Sequence, residues 1–387
     1  MGSSDGFLYK DSLLAFRLSG MSKIAFLLFS GRKFGGMERR YVRLFLHFYR
    51  NDGDVVLLST HDAIEGARDL GMIIPEGAVR FIDFDLGSFP VFIRKANRLY
   101  GLIRALLISA VERYRHVHIV ANPGFLVSLY SRMRFFLPRY SFSVVDSRLG
   151  FRPELIVQTV RFAYAIDCLS ETIGQFVKAR CRRIADTQKI HVAPCSFIDL
   201  KEINVEPQVR DIDVVMMARF SPEKGYSLLM EALPKIPMDL VVHLCGFGPV
   251  PPKSARAKVY ECREPIKVLS RSKIFLSIQQ TENYPSQALL EAMACGCAII
   301  ATDVGETRRL LDESCAVLIP SSPVSLADAI RGLASDADRC RDLGAAARKR
   351  VFEDHTLERF AAYFEDAILG GGVAGKSRSS FRENRRH

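Results

Sequence analysis

Two cationic residues stand in one short polar loop of the chain. Arg219 and Lys224 lie within the segment 218–225, ARFSPEKG, which follows an apolar run and precedes a helical pattern starting at Tyr226. This arrangement suits a diphosphate, because a guanidinium, an ammonium and helix-end amides all favour negative charge. The alternative left open by these residues is a surface loop that carries two cations and binds nothing.

A second stretch, residues 281–304, has the sequence TENYPSQALLEAMACGCAIIATDV. It opens with a polar turn that contains proline, continues with the strong helix formers QALLEAMA, and ends its helix at Gly296. The short apolar run CAIIAT then predicts a buried strand. Amides at the start of such a helix can bind phosphates or sugar hydroxyls, and Glu291 could reach a diol. An ordinary helix–strand unit with no ligand is the alternative.

The segment YPSQALLEAMACGCAIIATDVG closely resembles the signature of the group 1 (family 4) retaining glycosyltransferases, which have the GT-B fold. The segment GGMER after the first predicted strand is similar to the GG-x-E-R segment of these enzymes. Arg219 and Lys224 match the family's R-x4-KG motif, whose basic residues bind the pyrophosphate of the donor. The resemblance covers about residues 22 to 369 and is strongest in the second half of the chain.

The resemblance implies a set of site residues for a nucleotide-sugar donor and for catalysis without a metal or another cofactor. The implied catalytic residues are Arg219, Lys224 and Asp146. The implied donor-binding residues are Gly35, Gly36, Gly246, Asn283, Tyr284, Ser286, Gln287 and Glu291.

Two positions depart from the family pattern. Asn283 stands where the family's E-x7-E motif has its first glutamate, and Glu282 lies one place out of register. Asn283 could still exchange hydrogen bonds with a sugar hydroxyl. Asp146 stands where many relatives place a histidine, at the end of a predicted strand, where a carboxylate could accept a hydroxyl proton. It could equally cap a turn.

Apolar runs alternate with helical stretches along most of the chain, which predicts an α/β protein with doubly wound parallel sheets. With the resemblance, the expected fold is GT-B, two Rossmann-like domains facing a cleft. Predicted strands cover residues 24–29, 55–59, 79–84, 117–121, 142–145, 165–169 and 190–192, then 212–217, 240–245, 273–278, 297–302 and 316–320.

The domain prediction divides the chain into five parts. Residues 1–20 are expected to be a flexible extension, 21–205 the acceptor-binding domain, and 206–354 the nucleotide-sugar domain. The last helix, 355–369, is expected to pack on the first domain, and 370–387 to be a disordered basic tail. His116 and His118 point to one face of a predicted strand and are interpreted as structural, since no third metal ligand is near.

Charge is distributed unevenly along the 387 residues. Residues 1–200 carry 28 Lys or Arg against 18 Asp or Glu, whereas residues 201–387 carry 26 against 25. The basic half indicates an anionic partner. No nucleic-acid-binding motif is found, so an anionic membrane surface is favoured. Helix 92–114 and segment 125–139 combine basic, aromatic and aliphatic residues, as interfacial helices do, although core packing with a solvated rim explains the same pattern.

The nine cysteines are scattered, and Cys295 and Cys297 lack neighbouring histidines, so neither disulfides nor a metal site is expected.

The hypothesis is a cytoplasmic enzyme, peripheral on the inner membrane face, that transfers a sugar from a nucleotide-sugar to a glycan or lipid-linked acceptor in cell-envelope polysaccharide synthesis. Two alternatives stay open: a noncatalytic nucleotide-sugar-binding subunit, and a GT-B epimerase acting on the sugar nucleotide itself.

Overall fold

The computed structural model describes residues 23–31, 35–85, 91–112, 114–120, 124–145, 153–181, 187–194, 196–203, 209–248, 253–262, 264–281 and 286–371. The chain divides into two compact units. The first unit comprises Met1–Ala193 together with Ala361–His387, and the second unit is Pro194–Phe360.

The first unit is built on a sheet of seven parallel strands in the order β3-β2-β1-β4-β5-β6-β7. The strands are β1 (Ile24–Leu28), β2 (Val55–Ser59), β3 (Val79–Phe81), β4 (His116–Ile119), β5 (Arg139–Val144), β6 (Ala165–Cys168) and β7 (Ile190–Val192). Strands β1 and β2 are apolar almost throughout, as expected for parallel strands covered on both faces. The chain reverses its direction across the sheet between β1 and β4, which makes this position a topological switch point.

Helices cover both faces of this sheet. They are α1 (Gly36–Asp52), α2 (His61–Asp69), α3 (Val91–Val111), α4 (Phe125–Arg132), α5 (Pro153–Phe162) and α6 (Glu171–Cys181). One hydrophobic core joins Ala25 and Leu27 of β1 to Leu106 of α3, Val127 of α4 and Val160 of α5. Because side chains alternate along a strand, Phe26 faces the other side and packs against Phe45 and Phe48 of α1.

The second unit has a sheet of six parallel strands in the order β10-β9-β8-β11-β12-β13. The strands are β8 (Ile212–Arg219), β9 (Val242–Phe247), β10 (Ala257–Glu261), β11 (Ser272–Ser277), β12 (Ala298–Thr302) and β13 (Ala316–Ile319). Its helices are α7 (Tyr226–Ala232), α8 (Pro265–Ser270), α9 (Gln287–Ala294), α10 (Thr307–Leu310), α11 (Pro323–Ser335), α12 (Ala337–Asp354) and the start of α13 (Leu357–Tyr363). The switch point of this sheet lies between β8 and β11.

The two doubly wound parallel sheets predicted from the sequence are confirmed. Every predicted strand is present, with ends that differ by at most three residues. The prediction missed one strand, β10, whose sequence AKVYE alternates charged and apolar residues and is largely half-buried. It lies at the edge of the sheet, where one side is not covered by a neighbouring strand, so its sequence lacks the continuous apolar run of a central strand.

Backbone contacts close to the two places where the chain passes from one unit to the other set the boundary between the units. Ile198 forms a parallel bridge with Thr356, and its amide donates to the carbonyl of His355 at 3.1 Å. The imidazole of His355 in turn contacts the carbonyl oxygen of Ser196 at 2.9 Å. These contacts attach residues 196–198 to the second unit, whereas the sequence placed the boundary after residue 205.

None of the helices in the described segments combines the length and the apolarity needed to cross a bilayer.

The chain returns to the first unit at Ala361, and its last described turn packs there through buried polar groups. Tyr363 donates to Asp167 of β6 at 3.0 Å, and the same carboxyl group accepts from Tyr41 and from Ser143. The helix widens into one π-helical turn at Phe364–Ile368, and the ring of Phe364 meets that of His118 at 4.7 Å. Asp167 therefore connects α1, the sheet and the C-terminal segment.

A pair of histidines extends this buried network along β4. The ring of His116 contacts the hydroxyl of Ser141 at 2.7 Å, and that of His118 contacts the same hydroxyl at 2.8 Å. Both rings are fully buried, which confirms the prediction that they are structural. Burial lowers the pKa of His118 to about 3 and also lowers the pKa of His116. Both imidazoles are therefore neutral at pH 7.

The neutral histidines make the stability of the first unit depend on pH. In the unfolded chain a histidine has a pKa of about 6.5, so the unfolded state binds more protons below that pH. We expect the free energy of unfolding to fall as pH drops from about 6.5 toward 3, by about 1.4 kcal/mol per pH unit for each histidine. In His118→Gln, the free energy of unfolding should change with pH less steeply by that amount. Urea unfolding at several pH values, followed by circular dichroism, measures this pH slope.

The control for this prediction is His47→Gln on the surface of α1, where the ring contacts Asn51. This variant should keep the pH slope of the wild type. An unchanged slope in His118→Gln would contradict the assignment of His118 as a neutral buried group.

Candidate functional site

The loop that leaves β8 carries the two cations singled out in the sequence. Arg219 is the last residue of β8 and is exposed. Lys224 ends the 3-10 turn Pro222–Lys224 and is half-buried. Gly225 follows with φ of 83°, and a Cβ there would lie 1.8 Å from the carbonyl oxygen of Ile278. No side chain fits at this position, because it would meet backbone and would also occupy the left-handed region.

The loop after β11 is bound to the loop after β8. The amide of Gln280 donates to the carbonyl oxygen of Glu223 at 3.0 Å. On the other side, the hydroxyl of Thr302 at the end of β12 donates to the carbonyl oxygen of Gln279 at 2.6 Å. The loops of three neighbouring strands are thus connected at the carboxyl edge of the sheet, at its switch point. Ligands of open α/β sheets bind at this position.

Gly246 lies in β9, opposite Ala218 of β8 in the parallel register. A Cβ at Gly246 would lie 1.8 Å from the carbonyl oxygen of Ala218. The close approach of the two strands therefore requires glycine here whether or not a ligand binds. Its predicted contact with the donor stays a prediction.

Helix α9 begins beyond the β11 loop, and its residues differ in exposure. Ser286 is the N-cap residue and makes no side-chain capping bond. The side-chain amide of Gln287 donates to the carbonyl oxygen of Phe197 at 3.2 Å, so it orients this helix toward residues 196–198. Glu291 is only 1% exposed, which is uncommon for a carboxyl group in a protein interior. Its predicted contact with ribose hydroxyls stays a prediction.

The first unit has a glycine loop at its own switch point. Gly35 precedes α1, and Gly36 is the first residue of that helix. The carboxyl group of Glu38 accepts from the amide of Gly35 at 2.9 Å and from the hydroxyl of Ser30 at 2.9 Å. Glu38 therefore positions the loop after β1. The site prediction omitted this residue, although a glutamate at the third position of a helix is a recognisable capping signal.

Three predicted site residues, Asp146, Asn283 and Tyr284, lie outside the described residues. Among the others, the structure brings together Arg219, Lys224 and residues 279–281 at one edge of the second sheet. Gly35 and Gly36 belong to the first unit.

The described residues offer no metal site near the β8 and β11 loops. No group of three or more His, Cys, Asp or Glu side chains in the described segments could hold a metal ion. Burial raises the pKa of the thiols of Cys295 and Cys297 to about 12, so both stay protonated at neutral pH. A cavity of about 330 Å³ between β10 and α8 includes no residue of the β8 and β11 loops. It is lined by Tyr260, Glu261, Cys262, Glu264, Lys267, Val268 and Arg271.

Comparison with known proteins finds a family match that begins just after the loop of Arg219 and Lys224. Residues 228–366 match the family described as "Glycosyl transferase-like". Alpha-maltose-1-phosphate synthase of Mycolicibacterium smegmatis is 26% identical to this chain over 175 residues. The match covers 38% of this chain and spans less than half of that relative, 45% of its length.

Solved structures resemble the whole fold. Anabaena HepE in complex with UDP-glucose has a TM-score of 0.71 and 15% identity, covering 90% of this chain and 99% of HepE. WaaG, a glycosyltransferase involved in lipopolysaccharide biosynthesis, has a TM-score of 0.66 and 15% identity, covering 90% of this chain and 100% of WaaG. The predicted GT-B fold and the resemblance to group 1 glycosyltransferases are confirmed. The predicted class, a glycosyltransferase enzyme, is confirmed at the level of the domain.

The contact between Gly225 and Ile278 leads to a stability prediction. Gly225→Ala should lower the free energy of unfolding by about 3 kcal/mol or more, because a Cβ adds a backbone clash to left-handed strain. Urea unfolding measures the change. The matched control is Gly53→Ala, where φ is 69° and nothing lies within 4 Å of the added atom. It should cost only about 1–2 kcal/mol. Equal losses in both variants would contradict the role of the close contact.

Proposed function

We propose that the protein transfers a sugar from a nucleotide-sugar donor held at the switch-point edge of the second sheet. The observation that carries this proposal is the connection of the β8 and β11 loops by the Gln280–Glu223 hydrogen bond and the Gly225–Ile278 contact. This connection holds the segment of Arg219 and Lys224 beside residues 278–280, which follow β11. The glycosyltransferase domain over residues 228–366 supports the same reaction class.

The chemical task is to stabilise the negative charge that develops on the departing nucleoside diphosphate. Arg219 can donate two parallel hydrogen bonds to phosphate oxygens, and Lys224 supplies a compact positive charge. Backbone amides at the start of α9 add donors that need no reorganisation. These groups act without a metal in this proposal. Glu291 accepts from ribose hydroxyls, and Asn283 exchanges hydrogen bonds with the donor sugar.

The acceptor and the pathway are the second part of the proposal. We infer transfer with retention of anomeric configuration to a glycan or lipid-linked acceptor, which the first unit presents, with Asp146 accepting the acceptor's proton. The setting is cell-envelope polysaccharide synthesis, with the enzyme in the cytoplasm at the inner membrane face. Supporting observations are the resemblance to group 1 enzymes and the basic first half of the chain. WaaG, which shares the fold, is itself described as acting in lipopolysaccharide biosynthesis.

Arg219→Ala and Lys224→Ala should weaken both nucleotide binding and sugar transfer, and transfer should fall at least as much as binding. Each variant should weaken binding of the nucleoside diphosphate roughly 10- to 100-fold, because it removes charge-assisted hydrogen bonds. Transfer should fall by about 100-fold or more, since the leaving group carries its largest charge in the transition state. Calorimetry against UDP, GDP, ADP and dTDP measures binding. UDP is the first choice because the HepE structure contains UDP-glucose.

Lys235→Ala is the matched control for these variants. Lys235 ends a 3-10 turn ahead of β9, at the opposite edge of the same sheet, and it is exposed. Its loss should change neither binding nor transfer. Binding without transfer in the wild type would favour the noncatalytic subunit, and donor turnover with no acceptor would favour the epimerase. Unchanged binding in both Arg219→Ala and Lys224→Ala would refute the donor site.

Retention has a separate test. The product should carry the same anomeric configuration as the donor sugar, because the proposed chemistry follows that of the retaining enzymes. Proton NMR of the first product formed, read from the coupling of its anomeric proton before any mutarotation, measures this configuration. An inverted product would leave the donor site in place and refute the retaining mechanism.

A further inference from the structure

Helix α3 of the first unit is apolar on two opposite faces. Its inner face, which includes Leu106, packs into the core against the sheet. Its outer face shows four residues spaced by four positions and exposed by between 50% and 76%: Leu99, Ile103, Leu107 and Val111. Soluble helices usually present polar residues on the outer face, and a helix that is apolar all round is normally covered on every side. The described part of the chain does not cover this outer face.

Two phenylalanines extend the exposed surface beyond α3. Phe135 and Phe136, in the turn after α4, are 79% and 78% exposed. The strands that follow α3 and α4 pair directly, with His116 opposite Arg139, so the ends of the two helices lie at the same edge of the sheet. Val111 and this turn therefore lie at the same edge of the sheet. We name Leu99, Ile103, Leu107, Val111, Phe135 and Phe136 the docking face.

The chain around the docking face is strongly basic. Residues 83–146 contain nine Lys or Arg and four acidic residues, Asp83, Asp85, Glu112 and Asp146. The carboxyl group of Glu112 is bound by Arg80 at 3.4 Å and by the hydroxyl of Tyr114. Positive charge thus exceeds negative charge in the part of the sequence that carries this apolar surface, as in helices that lie in a lipid interface.

Arg134 shows how charge and aromatic rings are combined here. Its guanidinium lies 4.1 Å from the ring centre of Phe135 and 3.7 Å from that of Phe162. Stacking between two rings holds the guanidinium beside the exposed phenylalanines, where its N–H groups can donate to a phosphate oxygen. The rings supply apolar area, and the arginine supplies an anion contact at the same place.

We propose that the docking face binds the anionic surface of a lipid bilayer, with its six apolar side chains entering the headgroup boundary and the arginines contacting lipid phosphates. A second copy of the chain fits less well, because a symmetric contact would place the same basic rim against itself. The inference rests on the proposed function in one respect only, the lipid-linked acceptor, which gives the protein a reason to be at a membrane.

The test is flotation of the full chain with vesicles of phosphatidylcholine, with and without phosphatidylglycerol. The wild type should float with the anionic vesicles and lose binding as salt rises, since salt screens the arginine contacts. Phe135→Ser/Phe136→Ser should reduce the vesicle partition coefficient at least tenfold, because two exposed rings no longer enter the interface. Arg134→Gln should reduce it about fivefold at low salt.

The matched control is Ile73→Ser. Ile73 is 83% exposed in the same unit and lies between α2 and β3, away from the docking face. It should leave vesicle binding unchanged, and circular dichroism should show that all variants fold. Wild type that floats with no vesicle, or a double phenylalanine variant that floats as well as wild type, would overturn the proposal. So would equal loss in Ile73→Ser, or sedimentation showing that the docking face instead joins two copies or an acidic protein.

The same variants separate this inference from the donor site. Phe135→Ser/Phe136→Ser should keep nucleoside diphosphate binding, and Arg219→Ala should keep vesicle binding. Loss of nucleotide binding alone would count against the donor site, and loss of vesicle binding alone against the docking face.

Discussion

The backbone of Gly225 passes the carbonyl oxygen of Ile278 so closely that no side chain can stand between them. This contact joins the first loop of the second sheet to the loop that follows its neighbouring central strand. The hydrogen bond from Gln280 to Glu223 repeats the connection two residues away on each side. The contact fixes the loop that carries Arg219 and Lys224, and the proposed binding of a departing phosphate requires cations whose positions are set beforehand.

The first unit is organised around a buried carboxyl group. Asp167 accepts hydrogen bonds from α1, from β5 and from the C-terminal segment, and each donor is a hydroxyl from a different part of the chain. A buried acceptor of this kind is costly when its partners are lost, so it favours the one arrangement that satisfies it. The C-terminal segment is therefore part of the first unit's core, although the second unit separates it in sequence.

The two units differ in what their surfaces offer. The second unit combines near-neutral charge with connected loops at one sheet edge, as a small-molecule site requires. The first unit combines a basic surface with an uncovered apolar helix face, as a larger anionic surface would require.

The sequence by itself was enough to predict most of the strands and the class of the protein. Buried parallel strands are continuous apolar runs, so twelve of the strands were recognisable from local composition, and the long signature around Glu291 identified the domain. Tertiary structure alone decided β10, whose edge position allows charged residues, and the pairing of Ile198 with Thr356 that sets the unit boundary. It also decided that Glu38 binds the glycine loop and that the outer face of α3 stays exposed. Those features depend on which distant segments of the chain pack together, and the local sequence of each segment does not indicate its distant neighbours.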